Sequence, residues 1–156
     1  MPLQVGDLAP VFSLPSKPGE SIDVGNHYGS RPVVLLFFPL AFSSVCTAEL
    51  CHFRDEWARW TTLGCDIFGI SVDSPFVTEK FRTELGIPFP LLSDFNKTVA
   101  AEWGALHEEL RGMRGVTKRA VFVVDRSRRI SYAAVQDSPK DQIDFEALSR
   151  AVELVR

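Results

Sequence analysis

An α/β fold with a mixed central β-sheet flanked by helices, entered through an N-terminal β-hairpin, is what this sequence predicts. Three observations carry the expectation. Residues 32–38 and 119–124 are apolar almost without alternation, the pattern of central strands covered on both faces. Between and after them the apolar spacing changes to that of amphipathic helices. Strand and helix patterns then alternate along the chain and finish as a hairpin followed by a helix, which points to one sheet with helices packed on it.

The elements follow in order. Residues 10–12 and 21–24 read as two short extended pieces around the turn signal Lys17-Pro18-Gly19-Glu20, and so as the hairpin. Residues 32–38 form a core strand that Pro39 ends. A helix is expected over 44–62, with Leu50, Phe53, Trp57 and Trp60 on its apolar stripe, Ser43 or Ser44 as its N-cap and Gly64 as its stop. A strand follows over 66–72. Ser74 and Pro75 open the next helix, and Gly86 and Pro88 halt it. Residues 90–93 form a short extended piece, and 97–103 a short helix closed by Gly104. The strand over 119–124 turns at Asp125-Arg126-Ser127-Arg128 and pairs back through 130–135. Phe145, Leu148, Val152 and Val155 mark a C-terminal amphipathic helix.

The 156 residues suit a single domain spanning 1–156. Apolar residues are 46% and charged residues 24%, a globular composition that excludes a disordered or collagen-like chain. The net charge of −3, with no basic run, argues against nucleic acid or an anionic membrane as partner. The longest apolar stretch, residues 32–42, falls short of the roughly 20 that a membrane span needs. The first residues, from Met1 and Pro2 to Asp7, lack the basic and apolar regions of a secretory signal. An odd count of three cysteines fits a reducing compartment, and the cytoplasm is the expected location.

Chemistry concentrates around the first core strand. Cys46 falls in the first turn of the helix that follows it, where unpaired backbone N–H groups and the positive end of the helix dipole favour a thiolate. Such a thiolate attacks electrophilic sulfur, carbon or peroxide oxygen; the plainer alternative is a small buried cysteine that only fills space. Ser43 stands three residues earlier. Its hydroxyl is either just a cap or a group that also holds a ligand above the sulfur. Pro39 ends the strand in either case.

Cys51 raises a geometric question. In an intact helix, residues five apart are separated by about 7.5 Å of rise and about 140° of rotation, so their Cα atoms lie roughly 8–9 Å apart. A disulfide tolerates at most about 7 Å. Cys46 and Cys51 can therefore bond only if the first turns unwind, and Cys51 is otherwise a chance cysteine on the helix flank. Cys65 reads as packing. Cys51-His52 beside Cys46 is a poor ligand set, and no second pair stands at metal spacing, so no metal site is expected. With no Cys-x-x-Cys, dithiol exchange of the thioredoxin kind is not indicated.

Arg119 enters a buried strand, which is unusual for an arginine that is neither paired nor functional. Its fixed fork of donors suits a departing peroxide oxygen. Neighbouring Lys118 is the plain solvent charge at a strand end. Glu49, one turn after Cys46, either holds that arginine or is an ordinary exposed helix carboxylate.

These residues resemble the peroxiredoxins, thiol peroxidases on a thioredoxin-like scaffold. Pro39, Ser43 and Cys46 match the family's Pro-x-x-x-Thr/Ser-x-x-Cys at every fixed position, with Ser43 keeping the hydroxyl of the commoner Thr. Gly6-Asp7-Leu8-Ala9-Pro10-Val11-Phe12 is similar to the family's entry segment. Phe89-Pro90-Leu91-Leu92-Ser93-Asp94 and Arg119-Ala120-Val121-Phe122-Val123-Val124-Asp125 are similar to two further stretches of it, in the same order. Phe37-Phe38-Pro39-Leu40-Ala41-Phe42 resembles the AhpE group, whose members often lack a resolving cysteine. The spacing of Cys46 and Cys51 instead resembles the bacterioferritin comigratory protein (PrxQ) group, in which the second cysteine resolves the first.

The resemblance implies a peroxidase reducing hydrogen peroxide and organic hydroperoxides. Cys46 attacks the O–O bond; Arg119, the Ser43 hydroxyl and the Cys46 N–H hold the oxygens; Pro39 shields the pocket, and Glu49 orients the arginine. Cys46 becomes a sulfenic acid, the helix unwinds, and a Cys46–Cys51 disulfide forms that thioredoxin or a glutaredoxin-like protein reduces. No cofactor is implied, and the subunits are monomers or homodimers. Three rival readings stand: a redox sensor or relay that passes oxidation to a partner protein, a one-cysteine route in which Cys51 does not resolve, and a binding module with an idle cysteine.

Overall fold

Strand β3 (Val33–Phe37) is buried at all five positions and forms the middle of the sheet. The computed structural model describes residues 3–156, so Met1 and Pro2, at the head of the segment read for a secretory signal, lie outside the described residues. Around β3 the order is β5-β4-β3-β8-β9, with β4 (Asp66–Ser71), β5 (Leu91–Ser93), β8 (Arg119–Val124) and β9 (Ile130–Gln136). The β3–β4 and β4–β5 pairs are parallel, and β8 runs antiparallel to both β3 and β9. This is the expected mixed sheet, in a thioredoxin-like α/β arrangement.

Alternation along β3 sorts its side chains into two layers. Val33, Leu35 and Phe37 pack with Phe12, Trp103 and Phe122 on one face; α4 (Thr98–Glu102) and the N-terminal hairpin cover that side. Val34 and Leu36 face the other layer, with Leu50 and Phe53 of α1 (Ser44–Asp55), Trp60 of α2 (Trp57–Thr62), Phe81 of α3 (Pro75–Leu85), and Leu148 and Val152 of α5 (Phe145–Val155). Among the described residues no helix is long and apolar enough to cross a membrane.

Two expectations are corrected. The hairpin is β1 (Ser13–Lys17) on β2 (Glu20–Asp23), so its first strand begins three residues later than residues 10–12. The two-residue turn Pro18-Gly19 sets the register by opposing Lys17 to Glu20, and Pro15 is accommodated at an irregularity in the ladder. The single helix over 44–62 is two helices, broken at Glu56, which sits at φ −103° and ψ 22°. Apolar spacing runs on across the break, so periodicity cannot register it. Packing decides it instead: the Phe53 and Trp60 rings close to 4.8 Å and Trp57 leans on Phe89 at 5.8 Å. Beyond these, the structure adds a 3₁₀ turn over Val24–His27 and a short hairpin, β6 (Glu109–Leu110) with β7 (Met113–Arg114).

One feature of the register positions the site. Because β8 is antiparallel to β3, the last residue of β3, Phe37, lies opposite Ala120 near the start of β8. The exit of one buried strand and the entrance of the other therefore meet at the same edge of the molecule, and α1 begins there.

Candidate active site

The chain leaves β3 through Phe38 and Pro39, whose carbonyls are tied from across the sheet. The Thr117 hydroxyl donates to the Phe38 carbonyl and lies 3.4 Å from that of Pro39. The following loop is held from the other side by Asp73, whose carboxylate accepts from the Ala41 N–H at 2.7 Å and from the Ser71 hydroxyl at 2.8 Å. Ser43 then stands at the N-cap position of α1 in extended conformation. Its hydroxyl makes no cap bond, contrary to expectation; it donates to the Leu40 carbonyl at 2.8 Å, and so spans the loop rather than the helix end.

Cys46 is the third residue of α1 and is fully buried. Arg119, at the entrance to β8, is buried as well and spends its guanidinium on three partners. One terminal nitrogen pairs with Glu49; the other lies 3.2 Å from the Cys46 sulfur and donates to the Pro139 carbonyl at 3.1 Å. Glu49 is fully shielded from solvent, which overturns its reading as an exposed helix carboxylate. Burial pushes its carboxyl up to about 7, against the pull of the Arg119 charge and hydrogen bond. Each member of the pair still has an atom with no hydrogen-bond partner, Glu49 Oε1 and Arg119 Nε.

Pro39, Ser43, Arg119 and Pro139 line one cavity of about 480 Å³. The structure thus brings Pro39, Ser43, Cys46, Glu49 and Arg119 together. Cys51 stands apart from this group, half-buried on the flank of α1, and all three cysteines are free thiols. Cys65 is buried at the foot of β4, and desolvation pushes its thiol up to about 11, which suits packing and not chemistry. The three histidines lie apart: His27 sits 3.3 Å from Asp66, His52 stacks on Phe145 with ring centroids 3.7 Å apart, and His107 belongs to the segment before β6. Among the described residues no group of three His, Cys, Asp or Glu side chains stands close enough to hold a metal ion. Lys118 pairs with Asp137 at 3.3 Å, an ordinary surface contact.

Four residues at the site escaped sequence reasoning. Thr117 and Asp73 fix the loop that carries Pro39 and Ser43. Pro139 receives Arg119, and Gln142 donates to the Val45 carbonyl at 3.2 Å, so the segment after β9 clasps both the guanidinium and the first turn of α1. Only Thr117, two residues before Arg119 at a strand entrance, had a sequence position that hinted at a role.

A buried sulfur beside a fixed cation, next to a cavity and at a helix start, is equipped for nucleophilic attack on a small electrophile whose leaving atom needs charge stabilisation. Comparison with known proteins points the same way. Residues 5–133 match the AhpC/TSA family. A Mycobacterium tuberculosis (strain H37Rv) protein that carries a peroxiredoxin name is 39% identical over 134 residues, covering 84% of each chain. Alkyl hydroperoxide reductase E of the same strain is 35% identical over 136 residues, covering 86% of each. Among solved structures, the peroxidoxin BcpB of Mycobacterium tuberculosis superposes with a TM-score of 0.86 at 30% identity, over 99% of both chains.

Proposed function

The chain belongs to the AhpC/TSA family and is a peroxiredoxin, a peroxide-reducing peroxidase, and on that premise we propose that Cys46 is its peroxidatic nucleophile. The observation that carries this assignment is the contact of 3.2 Å between the Cys46 sulfur and a guanidinium that Glu49 locks in place. An arginine keeps its charge at every relevant pH, so the sulfur has a permanent counter-cation and an incoming peroxide a permanent donor.

The steps follow from the geometry. A hydroperoxide enters the cavity beside Pro39 and Ser43. The Ser43 proton is committed to the Leu40 carbonyl, so its oxygen is left to accept the O–H of the peroxide. Arg119 and the Cys46 N–H, one of the helix-start donors without an intrahelical partner, donate to the peroxide oxygens. The Cys46 thiolate attacks the terminal oxygen in line. An S–O bond forms as the O–O bond breaks, hydroxyl passes to sulfur, and the alkoxide or hydroxide leaves and takes up a proton. Sulfur is oxidised to the sulfenic acid by two electrons and the peroxide is reduced to alcohol or water.

Cys51 then resolves the sulfenic acid. Its sulfur displaces water from Cys46 and forms the disulfide once the first turns of α1 have opened, because an intact helix holds positions five apart beyond disulfide reach. Thioredoxin, or a glutaredoxin-like protein, returns both thiols by exchange. Residues 1–156 act as one catalytic domain, and three free thiols suit work in the reducing cytoplasm.

Intact mass after one equivalent of hydrogen peroxide tests the assignment. The wild type should lose two hydrogens, the Cys51→Ser variant should gain one oxygen, and Cys46→Ser should do neither. Oxidation of Cys46→Ser at the wild-type rate overturns the nucleophile. Gain of one oxygen by the wild type leaves the nucleophile in place and gives the resolving step to an outside thiol.

A further inference from the structure

Strands β6 and β7 share two residue pairs, Glu109 with Arg114 and Leu110 with Met113, and form a sheet of their own. A two-stranded hairpin is marginal in water unless something else holds it. This one nevertheless walls the cavity beside Arg119, through Leu110, Arg111 and Met113. Its foot is fixed. The His107 and Lys118 N–H groups donate to the Val116 and Ala105 carbonyls at 2.7 Å each, and Thr117 is tied to Phe38. The hairpin itself has far less. Among the described residues, a single hydrogen bond joins residues 109–114 to another part of the fold, from Lys97 Nζ to the Arg114 carbonyl at 2.8 Å.

Lys97 is placed for this contact against backbone preference. It stands just before α4 at φ 66° and ψ 10°, a left-handed conformation that favours Gly or Asn. Helix capping does not account for the lysine. Its side chain makes no cap bond, and the Asp94 carboxylate already accepts from the Val99 and Ala100 N–H groups at 3.3 and 2.6 Å. Charge pairing does not account for it either, since Lys97 enters no salt bridge among the described residues. The other side of the contact is fitted to the lysine stem. Gly115 follows Arg114 at φ 72°, and a Cβ there would stand 2.7 Å from Lys97 Cδ and 3.1 Å from its Nζ. The stem therefore lies across bare backbone, with its ammonium on the preceding carbonyl. Strain at one end and vacated space at the other serve the same hydrogen bond.

Resting on the reading of Cys46 as a nucleophile reached through this cavity, we propose that Lys97 is a positioning residue that latches the β6–β7 hairpin beside Arg119 and so limits how large a molecule reaches the sulfur. Lys97 touches neither the sulfur nor the guanidinium; it acts through the Arg114 carbonyl. With the latch made, Leu110 and Met113 keep their places in the cavity wall and a small peroxide passes. With it broken, the hairpin swings about its foot at His107 and Val116 and admits bulkier thiol reagents. The chemistry at Cys46 is the same in both states.

Labelling of the reduced protein with fluorescein-5-maleimide, read site by site by peptide mass spectrometry, tests the latch, and Cys65 serves as the internal reference. Lys97→Met keeps the stem and removes the donor. In this variant the labelling rate of Cys46 should rise about tenfold, the scale on which loss of one hydrogen bond from a charged donor raises the open population. Labelling of Cys65, buried at the foot of β4, should stay at the wild-type rate. Oxidation of Cys46 by hydrogen peroxide should stay within about twofold. Gly115→Asn tolerates the left-handed backbone but fills the place of the stem, and should match Lys97→Met. Lys97→Arg restores a donor and should return Cys46 labelling towards the wild-type rate. Cys46 labelling unchanged in Lys97→Met, or Cys65 labelling that rises in step with it, overturns the latch, while oxidation of Cys46 by hydrogen peroxide leaves the peroxidase reading intact. A wild type whose Cys46 hydrogen peroxide does not oxidise overturns both.

Discussion

Glu49 and Arg119 form an ion pair out of reach of water, and the other terminal nitrogen of the same guanidinium lies 3.2 Å from the Cys46 sulfur. Glu49 is three residues after Cys46 on α1, one turn along the same face, while Arg119 comes from a strand 70 residues further on. One helix face thus carries both the sulfur and the anchor of the guanidinium beside it, which in the proposed mechanism is the group that activates the sulfur. The arginine is held by its far nitrogen so that its near nitrogen has a fixed place.

Removing that near nitrogen should cost what removal of a preorganised donor costs elsewhere. We expect Arg119→Met to slow oxidation of Cys46 by about 100–1000-fold. Arg119→Lys should not restore it, because one ammonium cannot serve Glu49, Cys46 and the Pro139 carbonyl at once. Stopped-flow tryptophan fluorescence on mixing with peroxide measures the step directly. A loss under tenfold in both variants would show that the guanidinium is structural.

The same pair makes stability depend on pH in a direction that can be stated. Burial pushes the Glu49 carboxyl up to about 7, so folding takes up a proton at this site between the ordinary glutamate value of about 4.3 and about 7. In that window the unfolded chain binds fewer protons than the native one, and stability falls as pH rises. Comparison of wild type with Glu49→Gln cancels every other titrating group. Urea unfolding of the two should show the wild type losing ground to the variant from pH 5 to pH 7.5, by up to about 1.4 kcal/mol per pH unit. A difference that is flat, or that runs the other way, would mean Glu49 is ionised in the native protein throughout.

Cys46, Ser43, Pro39 and Arg119 were legible in the sequence because their signals are local: a proline ending an apolar run, a hydroxyl three residues before a cysteine, an arginine at the mouth of a buried strand. Central strands β3 and β8 were legible for the same reason. What the sequence hid is what distant segments decide. The break at Glu56 comes from ring packing onto Phe89, the burial of Glu49 from an arginine on another strand, and the clasp of Pro139 and Gln142 from how the chain returns after β9. Ser43 shows the limit within a local motif. It stands at the N-cap position, one of the two the sequence allows, but its partner is Leu40 and not the helix, because the loop curls back on itself.

Thr117 links the two strand ends that frame the site, since its hydroxyl donates to the Phe38 carbonyl beneath Pro39. Thr117→Val keeps the shape and leaves that buried carbonyl without its donor, which should cost about 1–3 kcal/mol in urea unfolding. Thr117→Ser should recover most of the loss. Peroxide turnover should fall in Thr117→Val together with stability, because the loop that carries Pro39 and Ser43 is released. Full stability in Thr117→Val would show that water satisfies the carbonyl in its place.

On the proposed mechanism, opening of α1 is the step that would connect the reduced structure to a Cys46–Cys51 disulfide, and the segment after β9 opposes it. Gln142 donates to the Val45 carbonyl in the first turn, and Pro139 accepts from Arg119, so unwinding the turn breaks contacts made from outside the helix as well as within it. Hydrogen exchange should therefore accelerate on oxidation in two stretches, residues 46–51 and residues 139–142, and stay unchanged in β3 and β8. Removing the clasp with Gln142→Leu takes away one hydrogen bond worth about 1 kcal/mol, which should raise the rate of disulfide formation about fivefold. The rate of peroxide attack should change far less, because Gln142 touches neither the sulfur nor the guanidinium. Disulfide formation at the wild-type rate in Gln142→Leu would place the barrier inside α1 alone.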